Sequence, residues 1–198
     1  MDKAQACIRG ALLVMAAVAA VQLSTPARAQ GIFAGRHHHY ANSLAPYVVS
    51  PQQVVDRMLE IAELKPGETL YDLGSGDGRI LITAAQRFHA KAVGIEISEA
   101  LVRRSQDMVS RLGLRQVVHI IHGDIREADF SPADVVTMYL MTGSNETLRP
   151  RLERSLHAGA RVVSHDYAVP GWKPNRVEEA DVHKHGHLIY LYVMPAKR

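Results

Sequence analysis

Thr69-Leu70-Tyr71-Asp72-Leu73-Gly74-Ser75-Gly76-Asp77-Gly78-Arg79 is an apolar strand that runs into a turn of alternating glycines and then into a helix. Glycine lets the backbone bend sharply and approach a ligand without an obstructing Cβ. The helix that follows presents free N–H groups and the positive end of its dipole. A glycine-rich turn of this kind also occurs in dinucleotide-binding folds, so the turn alone does not decide the ligand. The acids separate the two readings. Asp72 at the strand end and Asp77 inside the turn would repel a pyrophosphate, yet they suit a cofactor bearing a sulfonium and an ammonium. The strict alternation of Gly74, Gly76 and Gly78 also departs from the dinucleotide glycine triplet.

Working outward, short β-branched runs alternate with amphipathic stretches, as a βαβ chain requires. Strands are predicted near 69–73, 92–97, 117–121, 134–140 and 160–165, with helices over Arg79 to Phe88 and Ser98 to Leu112. An earlier helix is expected to start with Ser50 as cap, Pro51 in the first position and Gln53 completing a capping box. Because Pro150 disfavours a helix interior, a short turn at Ser144 to Leu148 is expected before a helix from Pro150 to Leu156. Arg176 to His183 and His187 to Met194 alternate in polarity around His185-Gly186, which predicts a closing hairpin with its turn there. At the second strand's end, Glu96 is placed to accept both ribose hydroxyls of an adenosine. After the third strand, Asp124 can accept from the adenine amino group while Ile125 packs on the ring.

Asp72-Leu73-Gly74-Ser75-Gly76-Asp77-Gly78, Glu96 and Asp124 together resemble the cofactor site of class I, seven-strand S-adenosylmethionine-dependent methyltransferases, and the likeness extends from about residue 46 to the end. It implies a Rossmann-like α/β three-layer sandwich, with a seven-stranded, mostly parallel sheet that ends in an antiparallel β-hairpin. It also implies S-adenosyl-L-methionine as cofactor, held by Asp72, Gly74, Ser75, Gly76, Asp77, Gly78, Glu96, Ile97, Asp124 and Ile125. Within that class, Pro46-Tyr47-Val48 ahead of the glycine turn resembles the small protein-lysine methyltransferases that modify the mitochondrial ATP synthase c-subunit and the adenine nucleotide translocase. Tyr139-Leu140, Asn145 and the run Val162 to Asp166 resemble bacterial proteins of this type. The expected acceptor is therefore a protein lysine; a small-molecule or lipid acceptor, or a non-catalytic binding protein that keeps the fold, are the alternatives. Tyr139 follows the fourth strand, which in such sheets ends beside the cofactor, and is the first choice for an acceptor-site residue. Tyr47 and Asn145 join it by resemblance. His165 and Asp166, at the end of the fifth strand, could orient the acceptor or relay a proton.

The chain of 198 residues is 47% hydrophobic and 22% charged, which fits one globular domain and excludes disorder. Of the formal charge of +3, Lys3, Arg9 and Arg28 against Asp2 supply two, and no Lys/Arg cluster follows, so a nucleic-acid partner is not expected. Lys3 and Arg9 precede an apolar run from Ala11 to Val21 that ends in Pro26-Ala27-Arg28-Ala29. Residues 1–29 are thus expected to be an export signal cleaved after Ala29, or else an uncleaved anchor. The mature protein is expected to be exported, monomeric and without a membrane span, with an extended arm over 30–49 and the methyltransferase domain over 50–198. Cys7 would leave with the leader, which excludes disulfides, zinc-thiolate sites and cysteine nucleophiles. His183, His185 and His187, with His37 to His39, raise a metal site, but the turn between them and the lack of carboxylate spacing lead to none being expected.

Overall fold

The computed structural model describes residues 43–182 and 185–196; the expected leader, most of the arm, His37 to His39 and His183 lie outside the described residues. The elements are α1 (Gln52–Ile61), β1 (Thr69–Leu73), α2 (Arg79–Phe88), β2 (Lys91–Glu96), α3 (Glu99–Arg111), β3 (Val118–His122), β4 (Val135–Met138), α4 (Thr142–Ser155), β5 (Arg161–His165), β6 (Arg176–Val182) and β7 (His185–Val193). Among the described residues no helix is long and apolar enough to cross a membrane.

One sheet runs β3-β2-β1-β4-β5-β7-β6, parallel through β5 and antiparallel where β7 joins β5 and β6. The chain steps outward from β1 to β3 and then returns to the other side of β1 as β4. Two connections thus diverge between β1 and β4, and they leave a crevice at the carboxyl ends of the strands. Strand alternation then assigns the faces. Leu70, Val135, Val163 and Ile189 face α1, α2 and α3, whereas Leu73, Met138, Val162 and Tyr192 share the second core with Leu148, Leu152 and Leu156 of the α4 segment. Even-numbered Asp72 therefore lies on the face of Leu70, and Thr137, Tyr139, His165 and His187 fall on that same face.

Local signals act as expected at α3, where Ser98 Oγ accepts from Leu101 N at 3.4 Å and Gly113 takes φ 69° just past the end. Three other expectations are corrected. Pro51, not Ser50, holds the N-cap position of α1, with no side-chain cap and no capping box. The Ser50 hydroxyl instead bonds Nδ1 of the fully buried His165 at 2.9 Å, since that nitrogen has no water to turn to, while Gln52 and Gln53 at the helix start are exposed. α4 is one helix that passes through Pro150. Pro150 and Glu146 both sit on the exposed side, where the carbonyl freed by the missing N–H faces solvent, and continuity buries Asn145, Leu148 and Leu152 along one stripe. In the hairpin, Val182 pairs with His185 and Asp181 with Gly186, so the chain turns two residues earlier than expected.

Candidate active site

The turn after β1 owes its shape to its glycines: Gly74, Gly76 and Gly78 adopt φ of 84°, 53° and 79°, which side-chain-bearing residues seldom reach. The N–H groups of Gly74 and Ser75 donate to Ile95 O, and Glu96 closes the structure from β2. Glu96 Oε2 accepts Gly76 N–H at 2.8 Å and Oε1 accepts Ser98 N–H at 2.8 Å. One carboxylate thereby binds the glycine turn to the start of α3. Each of its oxygens keeps a lone pair for a further donor.

Asp72 is buried, and Thr137 Oγ1 on the neighbouring strand donates to its Oδ1 at 2.8 Å. Burial pushes the Asp72 carboxyl up to about 7; the Thr137 hydrogen bond opposes the shift, and the negative charges of Glu96 and Asp77 add to it. Burial likewise opposes ionisation of Asp77, but the Arg79 guanidinium outweighs it and holds this carboxyl below the usual range. Arg79 NH2 lies 2.7 Å from Asp77 Oδ2, so the charge that was expected to face the cofactor is already partly answered within the chain. Asp124 also has a partner: Arg126 hydrogen bonds hold its carboxyl down. Gly123 N–H donates to Glu96 O at 3.0 Å and so sets Asp124 just past the end of β2. Ile97 is half-buried, and Ile125 packs into the core that holds Leu73 and Ile95. Among the described residues the Ser75 hydroxyl, buried against Gly94, has no hydrogen-bond partner, so Ser75 serves the turn through its main chain.

Residues 43–49, the described part of the arm, do more than lead into α1. The Ser144 hydroxyl donates to Leu44 O, and the Tyr47 ring lies over Gly76, where a Cβ would stand 2.7 Å from Tyr47 Cε2. Burial and Asp77 push the Tyr47 hydroxyl pKa up. The crevice thus combines a side-chain-free turn, an aromatic ring and mutually repelling carboxyls. That donor set fits a cationic nucleoside: Asp72 resists ionisation partly because Glu96 and Asp77 are near, and a bound cation relieves that repulsion.

Tyr139 stands one residue beyond β4, its ring centroid 3.8 Å from that of His165 and 6.1 Å from that of Tyr167. Its hydroxyl donates to Asp166 Oδ2 at 2.9 Å, and burial followed by that hydrogen bond raises its pKa well above the ordinary tyrosine value. Asn145 is fully buried. Its amide donates to Tyr167 O at 2.9 Å and to Ser164 Oγ at 3.3 Å, so it braces the segment after β5. Two features escape any local reading. His187 reaches His165 and Asp166 rather than its hairpin neighbours, and Arg79 NH1 donates to Ser50 O at 2.9 Å, which links the Asp77 turn to the His165 cluster through Ser50. A cluster of histidines in the sequence was the available signal for the first; nothing local signals the second.

Residues 72–176 match the model of the ANTKMT methyltransferase domain. The chain is 45% identical over 150 residues to a protein-lysine N-methyltransferase of Saccharolobus islandicus (strain REY15A), covering 75% of this chain and 93% of that one. It is 31% identical over 160 residues to the adenine nucleotide translocase lysine N-methyltransferase of Mus musculus, covering 77% and 69% respectively. The crystal structure of an RNA methyltransferase from Salinibacter ruber, in complex with S-adenosyl-L-homocysteine, shares the fold with a TM-score of 0.73 at 42% identity, covering 76% of this chain and 96% of that one.

Proposed function

The chain belongs to the ANTKMT methyltransferase domain family and is an S-adenosylmethionine-dependent methyltransferase, and on that premise we propose that its acceptor is the side-chain amine of a protein lysine. The observation that carries the proposal is the Tyr139–Asp166 pair at the ends of β4 and β5, beside the crevice that holds Asp72. The faces of Tyr139 and Tyr167 suit an arriving ammonium. Withdrawal from water then favours its neutral, nucleophilic form, the proton passing to solvent as the amine enters. Tyr139 is not the base, because its hydroxyl is protonated and already donates to Asp166; its oxygen keeps lone pairs that can orient an amine N–H. When bound, S-adenosylmethionine supplies a methyl group on a sulfonium, which leaves as a neutral thioether without help from an acid. Asp72 and Glu96 are left to hold the cofactor, and Tyr47 to cover the turn and keep water out.

The relative from Saccharolobus islandicus, named for a protein lysine, supports the proposal. A second reading, an RNA acceptor, rests on the Salinibacter ruber structure described as an RNA methyltransferase. The near-neutral charge after residue 29 and the absence of a Lys/Arg cluster weigh against it. Incubating the protein with methyl-labelled cofactor and fractionated cell extract separates them. Protease-sensitive label recovered as N-methyl-lysine is expected. Label released by ribonuclease, or confined to the lipid phase, would replace the lysine with RNA or a lipid.

A further inference from the structure

We propose that His165, Asp166 and His187 form a binding site for a divalent transition-metal ion of the zinc class. His165 Nε2 lies 3.0 Å from His187 Nδ1, and Asp166 Oδ2 lies 3.3 Å from each. Bonds of about 2.0–2.2 Å to a zinc-class ion separate two ligand atoms by about 3.0 Å at a right angle and about 3.4 Å at a tetrahedral one. The triangle therefore has the size of one face of a coordination sphere. Two imidazoles and a carboxylate suit zinc, cobalt or iron, and they leave the opposite positions open.

The surroundings prepare these atoms for that role. Ser50 Oγ engages His165 Nδ1 at 2.9 Å, which directs Nε2 toward the triangle. Asp166 takes a left-handed backbone with φ 58°, a conformation uncommon for a residue with a side chain. β7 holds it there: Asp166 N–H donates to Leu188 O at 2.7 Å, and Asp166 Oδ1 accepts Leu188 N–H at 3.0 Å. Its other oxygen is thereby aimed at the two rings and accepts the Tyr139 hydroxyl. With the metal absent, a single proton can lie between the two ring nitrogens, whereas one ion satisfies both of them and the carboxylate. His165 is fully buried, but the side chains of Asp166 and His187 are 25% and 19% exposed, so an ion has access. Occupancy would tie β5 to β7 and fix the oxygen on which Tyr139 rests.

The test uses the full chain, stripped with a chelator and titrated with Co²⁺ by visible absorption and with Zn²⁺ by calorimetry. One equivalent should bind, with cobalt bands that zinc abolishes. His187→Ala and Asp166→Asn should each remove the bands or weaken binding at least tenfold, and Ser50→Ala should weaken it by about 10–100-fold. Replacing His37, His38, His39 and His185 together by Ala should leave the stoichiometric site intact. Circular dichroism melts identify any variant that fails to fold, and the remaining variants then decide. The proposal is overturned if no stoichiometric binding occurs, or if binding survives in folded His187→Ala and disappears with the four-histidine variant.

Discussion

Replacing Glu96 by Ala removes one side chain that holds two backbone N–H groups, and the two consequences can be measured apart. Each hydrogen bond to the charged carboxylate, from Gly76 and from Ser98, is worth about 1.5–3 kcal/mol. With water re-pairing one of the two donors, the fold should lose about 1.5–3 kcal/mol, or about 3–12 °C in Tm for a domain of this size. The glycine turn also loses the contact that sets its position, and the cofactor loses a carboxylate that can accept from it. If either is worth one such bond, Kd for S-adenosylhomocysteine rises about 10–150-fold. Calorimetric titration below the variant's melting range measures affinity, and a thermal melt measures stability. Glu96→Gln, which keeps an amide oxygen for one of the two N–H groups, should fall between Ala and the parent in both assays. Affinity within twofold of the parent in a folded Glu96→Ala protein would refute the assignment of Glu96 to the cofactor crevice, whatever happened to Tm.

Tyr139→Phe deletes the hydroxyl that rests on Asp166 and should lower kcat by about 10–100-fold with cofactor Kd unchanged; equal loss in Kd would move Tyr139 to the cofactor side. A cationic cofactor favours ionised Asp72, so its Kd should improve by at most about tenfold per pH unit up to about 7 and then level off, a slope that Asp72→Asn should flatten. The same raised carboxyl keeps its proton in the folded state from the ordinary carboxylate range up to about 7. The folded state then binds more protons than the unfolded one, so its stabilising contribution falls as pH rises through that window, which chemical denaturation at pH 4.5 and 7.5 can follow. Pro150→Ala restores a donor to the middle of α4 and should raise stability by about 1–3 kcal/mol in the same assay; a loss would show that the helix needs the proline.

What was legible in the sequence is what acts within a few residues. The run from Thr69 to Arg79 carries its own strand, its own left-handed positions and its own helix start. Its fold class and its cofactor could therefore be read together, and Ser98 and Gly113 bounded α3 for the same reason. Local rules failed where two of them competed with burial. The proline rule splits α4, yet burial of the apolar stripe through Leu148 and Leu152 outweighs the cost of the lost hydrogen bond, whose freed carbonyl faces water. Ser50 and Pro51 form a good cap on paper, but a buried imidazole claims the hydroxyl.

The tertiary structure alone decided which distant groups meet. A two-residue shift of the hairpin turn is invisible to an alternating pattern, since period-two alternation looks the same after it, and the separate register of β7 on β5, with His165 opposite Ile189, sets His187 beside His165. Glu96 meets Gly76 because β2 lies next to β1, and Tyr47 covers the turn because its ring lies over Gly76. Residue types and their spacing determined the sheet, its glycine turn and the charge of its ligand. Strand register and the competition for buried hydrogen bonds determined how the carboxylates and imidazoles share the work, since those energies exist only once segments far apart in the chain have packed.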